Sequence, residues 1–458
     1  GDGITDIGGV LNIAKKSDIL KKIVLPTSAT IRVYYSGTAE QYIATSTVLS
    51  SPKLPVSIYT ATKVTNKNTP ISSDEEETYT YEGGEMYFDP LNVRDRKFAG
   101  FKKVTRQKGT TQTVTQFFQG NGDDLSQGEL GDNYYLIGKP FKVTVQDTSA
   151  KKLQESIYRN KTYTANGLTF VYPKEVINIE YGTSTSKRVS AEGFEYDLIS
   201  RLLLKNIKYG EIDFDQYAYT WFDTLTDAIT TSYFYADKKP QKVTEERVTN
   251  IDGLTLARKI NHYDSLPYGK VSLGSLTKNV IYLSDSQQDV QEYSYSPQGL
   301  LVLKTQVGKG GVSFLYDSTN LYPIQSTNSL GQITELEYTK DRGLLTRSLD
   351  PNNLEQKTTY DGFGRQIKTE STNEYGSLLT NNTTSYVYDS NGFSESSTDY
   401  IGGSPYRNST TQYDGLGRTI QTKKEVAPNT FRTVVTTYNF DGTVASSTYP
   451  YQSTVQGY

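Results

Sequence analysis

The side chains best suited to chemistry are short runs of carboxylates and one histidine. Gly1-Asp2-Gly3-Ile4-Thr5-Asp6-Ile7-Gly8-Gly9 spaces Asp2 and Asp6 as in the back half of an acidic calcium loop, where carboxylate oxygens wrap a hard cation. Ca2+ on Asp2 and Asp6 is the one cofactor this pattern suggests, and a plain surface turn with an acid at each end is the competing reading. Asp123, Asp124, Glu129 and Asp132 could form a second cation site, although a stretch this rich in glycine and acid suits a solvent loop better. The single histidine, His262, lies in Lys259-Ile260-Asn261-His262-Tyr263-Asp264. With no second histidine and no cysteine, zinc there would need three acidic ligands, an uncommon set. A Ser-His-Asp arrangement has no Gly-x-Ser-x-Gly elbow to support it. The chain also has no phosphate-cradling glycine loop and no His-Glu-x-x-His. His262 reads better as a strand residue in a ladder of tyrosines, and the chain as a whole reads as non-catalytic.

The elements around these residues carry a stronger pattern. Tyr360-Asp361-Gly362-Phe363-Gly364-Arg365 recurs as Tyr413-Asp414-Gly415-Leu416-Gly417-Arg418. Looser copies are Tyr316-Asp317-Ser318, Tyr388-Asp389-Ser390-Asn391-Gly392-Phe393 and Tyr438-Asn439-Phe440-Asp441-Gly442. With Tyr295 and Tyr338 the anchor tyrosines recur every ~21 to 28 residues, a period typical of stacked repeat architectures. Between anchors the side chains alternate: Leu336 and Tyr338 oppose Glu335 and Glu337, which is the period of a half-buried strand. The Asp-Gly pairs should supply the positive φ of tight turns, with Gly364 and Gly417 freeing a second strained position. Arg365 and Arg418, just past the turn, could reach a carboxylate or loop carbonyls in a neighbouring unit. The tyrosines should stack ring over ring with their hydroxyls at a wet edge. A repeated surface of this kind argues against an active site, because catalytic residues are normally singular.

Composition agrees. The chain has 458 residues, 38 tyrosines, no cysteine and a net charge of −3. Plentiful Tyr, Thr, Ser and Gly with few helix-forming runs is an all-β composition. Mixed charge without a basic stripe makes nucleic acid an unsuitable partner, and no apolar run approaches the roughly 18 residues that would span a bilayer. The absence of an initial methionine and the opening in mid-motif read as a piece of something larger.

The Tyr-Asp-Gly-x-Gly-Arg units resemble the YD repeats of Rhs (rearrangement hotspot) proteins. Upstream, Asn92-Val93-Arg94-Asp95-Arg96-Lys97-Phe98-Ala99-Gly100-Phe101 is similar to the Arg-(Asp/Glu)-Arg-Glu-Phe-x-Gly-Phe-Gly corner of the Tc toxin B component and SpvB-like proteins. Arg94, Asp95, Arg96, Phe98, Gly100 and Phe101 match that corner, while Lys97 and Lys102 replace a usual glutamate and glycine, which predicts a rebuilt corner. The loop 120–132 followed by Leu136-Ile137-Gly138-Lys139-Pro140 resembles the same family's acidic loop and the strand after it. Residues 1–9 resemble the end of an FG-GAP/VCBS propeller repeat. The resemblance implies a spiralling antiparallel β-sheet strip that forms part of a hollow shell. It divides the chain into 1–9, a Tc-B-middle-like region 10–150, a linking β region 151–290 and a repeat array 291–458. The implied partners are further shell segments and a C-terminal toxin or effector cargo, or other copies of the chain, in a secreted or cell-surface bacterial protein. The family's shell-closing segment and toxin domain have no counterpart here, so only part of a wall is expected. An adhesive β-array that binds glycans or neighbouring copies is the competing reading.

Overall fold

The computed structural model describes residues 19–454 apart from 26–28, 44–47, 68–74, 90–91, 93–95, 183–185, 216–217, 224, 238–240, 285, 390–391, 402–406 and 440–441. Asp2 and Asp6, and with them the expected calcium loop, lie outside the described residues, as do Arg94 and Asp95. The alternating sequence folds as period two requires: one antiparallel sheet of 30 strands, in which nearly every strand pairs with the next along the chain. The meander skips two short hairpins. Met86–Phe88 with Arg96–Phe98 leaves Glu75–Glu82 to pair directly with Lys103–Lys108. Asp213–Asp215 with Thr220–Phe222 leaves Leu202–Tyr209 to pair with Ile229–Tyr235. The ladder is continuous across residues 150 and 290, where the sequence pattern changes.

The sheet is not closed by backbone pairing and has little behind it. A compact monomer of this mass would expose about 17,000 Å²; this chain exposes 27222 Å². Insertions supply the small cores that exist. The 213–222 hairpin brings Phe214 and Trp221 onto Ile157, Ile177, Ile179 and Val189. The loop 118–139 folds back so that Phe118, Leu136 and Phe141 are fully buried together. The segment after Tyr263 packs Val271 against Tyr263 and Ala236. From Leu276–Tyr282 onward, no such buried cluster occurs among the described residues, and most strand side chains there are half-buried.

The turns fall on two edges of the strip. One edge, the Tyr-Asp edge, carries the Tyr-Asp turns 317–322, 361–365 and 414–418 and the Tyr-Thr turn 339–344; the other carries 307–309, 329–332, 350–354 and 373–377.

Candidate functional site

The tyrosines build a repeating device. A β-bulge shifts the register immediately before Tyr295, Tyr316, Tyr338, Tyr360, Tyr413 and Tyr438. Each bulge disrupts the ladder locally and re-aims the next side chain. In four of the six, Tyr295, Tyr316, Tyr360 and Tyr438, the hydroxyl donates to the carbonyl that lies opposite the preceding bulge tyrosine. Tyr316 donates to Leu301, the partner of Tyr295 (3.1 Å). Tyr360 donates to Leu345, the partner of Tyr338 (2.8 Å). Tyr438 donates to Thr419, the partner of Tyr413 (2.9 Å). These four hydroxyls satisfy backbone carbonyls instead of a wet edge, because a half-buried carbonyl at a broken ladder needs a donor. Stacking is local: Tyr338 stacks on Tyr322 (5.2 Å) and Phe393 lies between Tyr388 and Tyr413 (4.6 and 5.2 Å). In the unit with the longest spacing, the donor is Tyr386, which reaches Gln366 (3.0 Å). Asp389 and Gly392 pair at the hairpin end of that unit.

The device also occurs upstream of residue 291, where no regular repeat is readable. Bulges precede Tyr196, Tyr235 and Tyr263. Tyr235 donates to Leu203 (2.7 Å), Tyr263 to Val243 (2.9 Å) and Tyr295 to Leu276 (2.9 Å). The dipeptides Tyr196-Asp197 and Tyr263-Asp264 were the available signal, obscured by the insertions between them.

Where an aspartate follows the tyrosine, at Asp317, Asp361 and Asp414, its side chain closes the turn. Asp361 accepts from the backbone N–H groups of Phe363 and Arg365 (2.9 Å each) and from Arg365 Nε (2.7 Å). Asp414 does the same with Leu416, Arg418 and Arg418 Nε (3.0, 2.9 and 2.7 Å). Asp317 accepts from Leu321 and Tyr322 (2.8 and 3.2 Å). Positive φ falls on Gly364 (84°), Gly417 (83°) and Gly442 (86°), not on Gly362 or Gly415. The aspartate side chain, mimicking a turn, already shapes the first half of the loop, so the left-handed step moves to the later glycine.

The two motif arginines diverge. Arg365 Nη1 donates to the Tyr388 hydroxyl (2.8 Å), with its guanidinium over the Tyr386 ring (4.2 Å). Arg418 stacks over Tyr438 (4.4 Å) and extends Nη1 to Glu75 Oε1, 343 residues earlier in the chain. Lys108 joins from the same edge, 3.7 Å from Glu75 and 3.5 Å from Glu77. Arg106 holds Glu77 bidentately (2.8 and 2.9 Å) and keeps that carboxyl down at about 2. Here the Tyr-Asp edge of the late repeats meets the opposite edge of the early strands. The meeting point is a seam of ion pairs with Asp414 fully buried and Glu75 nearly so.

The acidic loop is folded down, not floppy. Asp132 accepts from the backbone of Gly120, Asn121 and Gly122 (3.0, 2.8 and 3.2 Å), and Asp123 accepts from the Asp132 N–H (2.7 Å). Lys102 lies 3.0 Å from Asp124 and 3.8 Å from Glu129. An ammonium and backbone donors therefore take up Asp123, Asp124 and Asp132, and no group of three or more side chains able to hold a metal is found among the described residues. Glu129 is buried and its Oε2 accepts no hydrogen bond, and burial, reinforced by Asp132, pushes its carboxyl up to about 7 against the pull of Lys102. The matching part of the corner is held by aromatic contact. Phe101 packs on Tyr81 (4.8 Å) and Phe98 (5.5 Å), Lys97 sits over the Tyr134 ring (3.7 Å), and Gly100 takes φ 84°. Arg96 opens the short strand Arg96–Phe98 and is exposed. His262 is a strand residue beside Tyr263, in edge contact with Tyr268 (6.4 Å).

No protein-family model matches the chain, and no curated protein matches its sequence. Solved structures do match. The fold is the Tc toxin shell fold. It is similar to the crystal structure of TcdB2-TccC3, with a TM-score of 0.69 over 93% of this chain at 12% identity. It is also similar to TcdB2-TccC3 without its hypervariable C-terminal region (TM-score 0.70 over 95%, 11% identity) and to TcdB2-TccC3-Cdc42 (0.70 over 94%, 11% identity). The chain spans 31 to 33% of the length of those chains.

Proposed function

We propose that this chain is a non-enzymatic segment of the wall of a secreted Tc/Rhs-type shell, which encloses a C-terminal effector. The observation that carries the reading is the one-layer strip of sequentially paired strands whose opposite edges meet at Arg418 and Glu75. A sheet that winds onto itself pairs its strands and covers its edges without a solid core, which suits a container. Three of the buried carboxylates, Glu75, Glu245 and Asp414, each bind arginine, an arrangement that staples strands together. The partners on this reading are the remaining wall segments and the enclosed effector. No helix among the described residues is long and apolar enough to cross a membrane, and the net charge of −3 offers nothing to a nucleic-acid backbone. Cryo-electron microscopy of the natural-length protein tests the proposal. A hollow particle with density in its lumen is expected, and an open array without a lumen would overturn it.

A further inference from the structure

The Tyr-Asp-Gly-x-Gly-Arg turn occurs twice, once in the seam and once outside it, so the chain contains its own control. In the seam, Asp414 and Gly415 are buried and Leu416 is half-buried. Outside it, Gly362 is exposed, Phe363 is 89% exposed and the Asp361 side chain is 18% exposed. The internal geometry is the same in both, with the arginine Nε 2.7 Å from the aspartate Oδ2. Only the outward group differs: Arg418 Nη1 meets a carboxylate, whereas Arg365 Nη1 makes do with the half-exposed hydroxyl of Tyr388. Both turns lie on one edge of one continuous ladder.

We propose that the turn 361–365 is a second seam site, which takes a carboxylate-tipped strand edge from the adjoining turn of the same wall. Docking covers Phe363 to the half-buried state of Leu416, and Arg365 Nη1 leaves Tyr388 for the incoming carboxylate. Continuity with the seam at 414–418 selects this occupant: the established contact pairs this edge with a strand opening on a glutamate, Glu75, in the strand Glu75–Glu82. A second copy of the chain fits less well, because its own Glu75 is already held by its own Arg418.

The inference rests on the wall-segment reading, and its test separates the two. The chain has no cysteine, so Phe363→Cys and, as the seam control, Leu416→Cys give single thiols. Thiol labelling is timed in the isolated 458-residue chain and in the natural-length protein. The expected result is fast labelling at 363 in the isolated chain and at least about tenfold slower labelling in the natural-length protein, with 416 slow in both. A photo-crosslinking residue at 363 should then join a strand end bearing Asp or Glu within the same polypeptide. Equal labelling at 363 in both proteins overturns the inference, and so does a crosslink that doubles the mass. Free labelling at 363 in particles that are nevertheless hollow would remove the second seam and leave the wall intact. Particles without a lumen would remove the wall itself.

Discussion

Replacing Glu75 by glutamine keeps the side chain's shape and removes the charge that joins the two edges of the strip. Glu75 is 6% exposed and Arg418 20% exposed at their side chains, so the pair is largely desolvated. Removing one partner of a buried pair costs about 3–5 kcal/mol. Arg418 keeps Asp414 and some solvent, so we expect about 2–3 kcal/mol. The cost should appear as seam opening and not as global unfolding, because each flanking strand keeps its ladder. Amide hydrogen exchange reports this directly at Leu416 and Arg418, whose N–H groups are bound by Asp414. Their exchange should accelerate about 30- to 150-fold, with strand amides such as those of Thr411 and Thr422 unchanged. A double-mutant cycle with Arg418→Met should give most of the loss as coupling. Unchanged exchange at Leu416 and Arg418 in Glu75→Gln would refute the seam. Equal acceleration in every strand would refute its local character.

Three further outcomes follow from the geometry. Glu129 holds its proton in the folded state up to about pH 7, above its ordinary 4.5. The native state then binds more protons than the unfolded one between those values, so loop stability should fall as pH rises from about 4.5 to 7 and level off above. Glu129→Gln should flatten that dependence in a pH series of limited proteolysis at 120–132. Tyr360→Phe removes the hydroxyl bond to Leu345 and should cost about 1 kcal/mol locally, whereas Tyr375→Phe, at a residue 83% exposed, should cost nothing measurable in the same exchange experiment. Gly364→Ala forces a side chain into left-handed backbone and should cost about 1–2 kcal/mol, while Gly362→Ala, with open space at its Cβ and no positive φ, should be neutral in denaturant titration.

Strand content, antiparallel alternation and the late repeat were legible because each is local: period two, Tyr-Asp turns and glycine all act within a few residues. The turn glycines were only half legible. Asp-Gly was read as the left-handed step, but the aspartate side chain takes the first part of the turn and moves that step to Gly364 and Gly417. The tyrosine hydroxyls were misplaced for a different reason. Their acceptors, such as Leu301 for Tyr316, depend on bulge positions that no alternation pattern marks. The upstream copies at Tyr196, Tyr235 and Tyr263 were hidden by insertions of unequal length. The pairing of Arg418 with Glu75 was not legible at all. It spans 343 residues and is set by the curvature accumulated over the intervening strands, a property of the whole sheet. The order of the acidic loop was not legible, because the contacts that fold it down, from Lys102 to Asp124 and from the backbone of residues 120–122 to Asp132, join positions 10 to 22 residues apart that no local pattern links.

The central claim is that the chain is a wall one sheet thick. Small-angle X-ray scattering of the isolated 458-residue chain tests it most directly. A compact protein of this length has a radius of gyration of about 23 Å. A single-layer strip exposing 27222 Å² should give a clearly larger value and the scattering profile of a thin sheet. A radius near that of the compact protein, with the profile of a solid particle, would contradict the account.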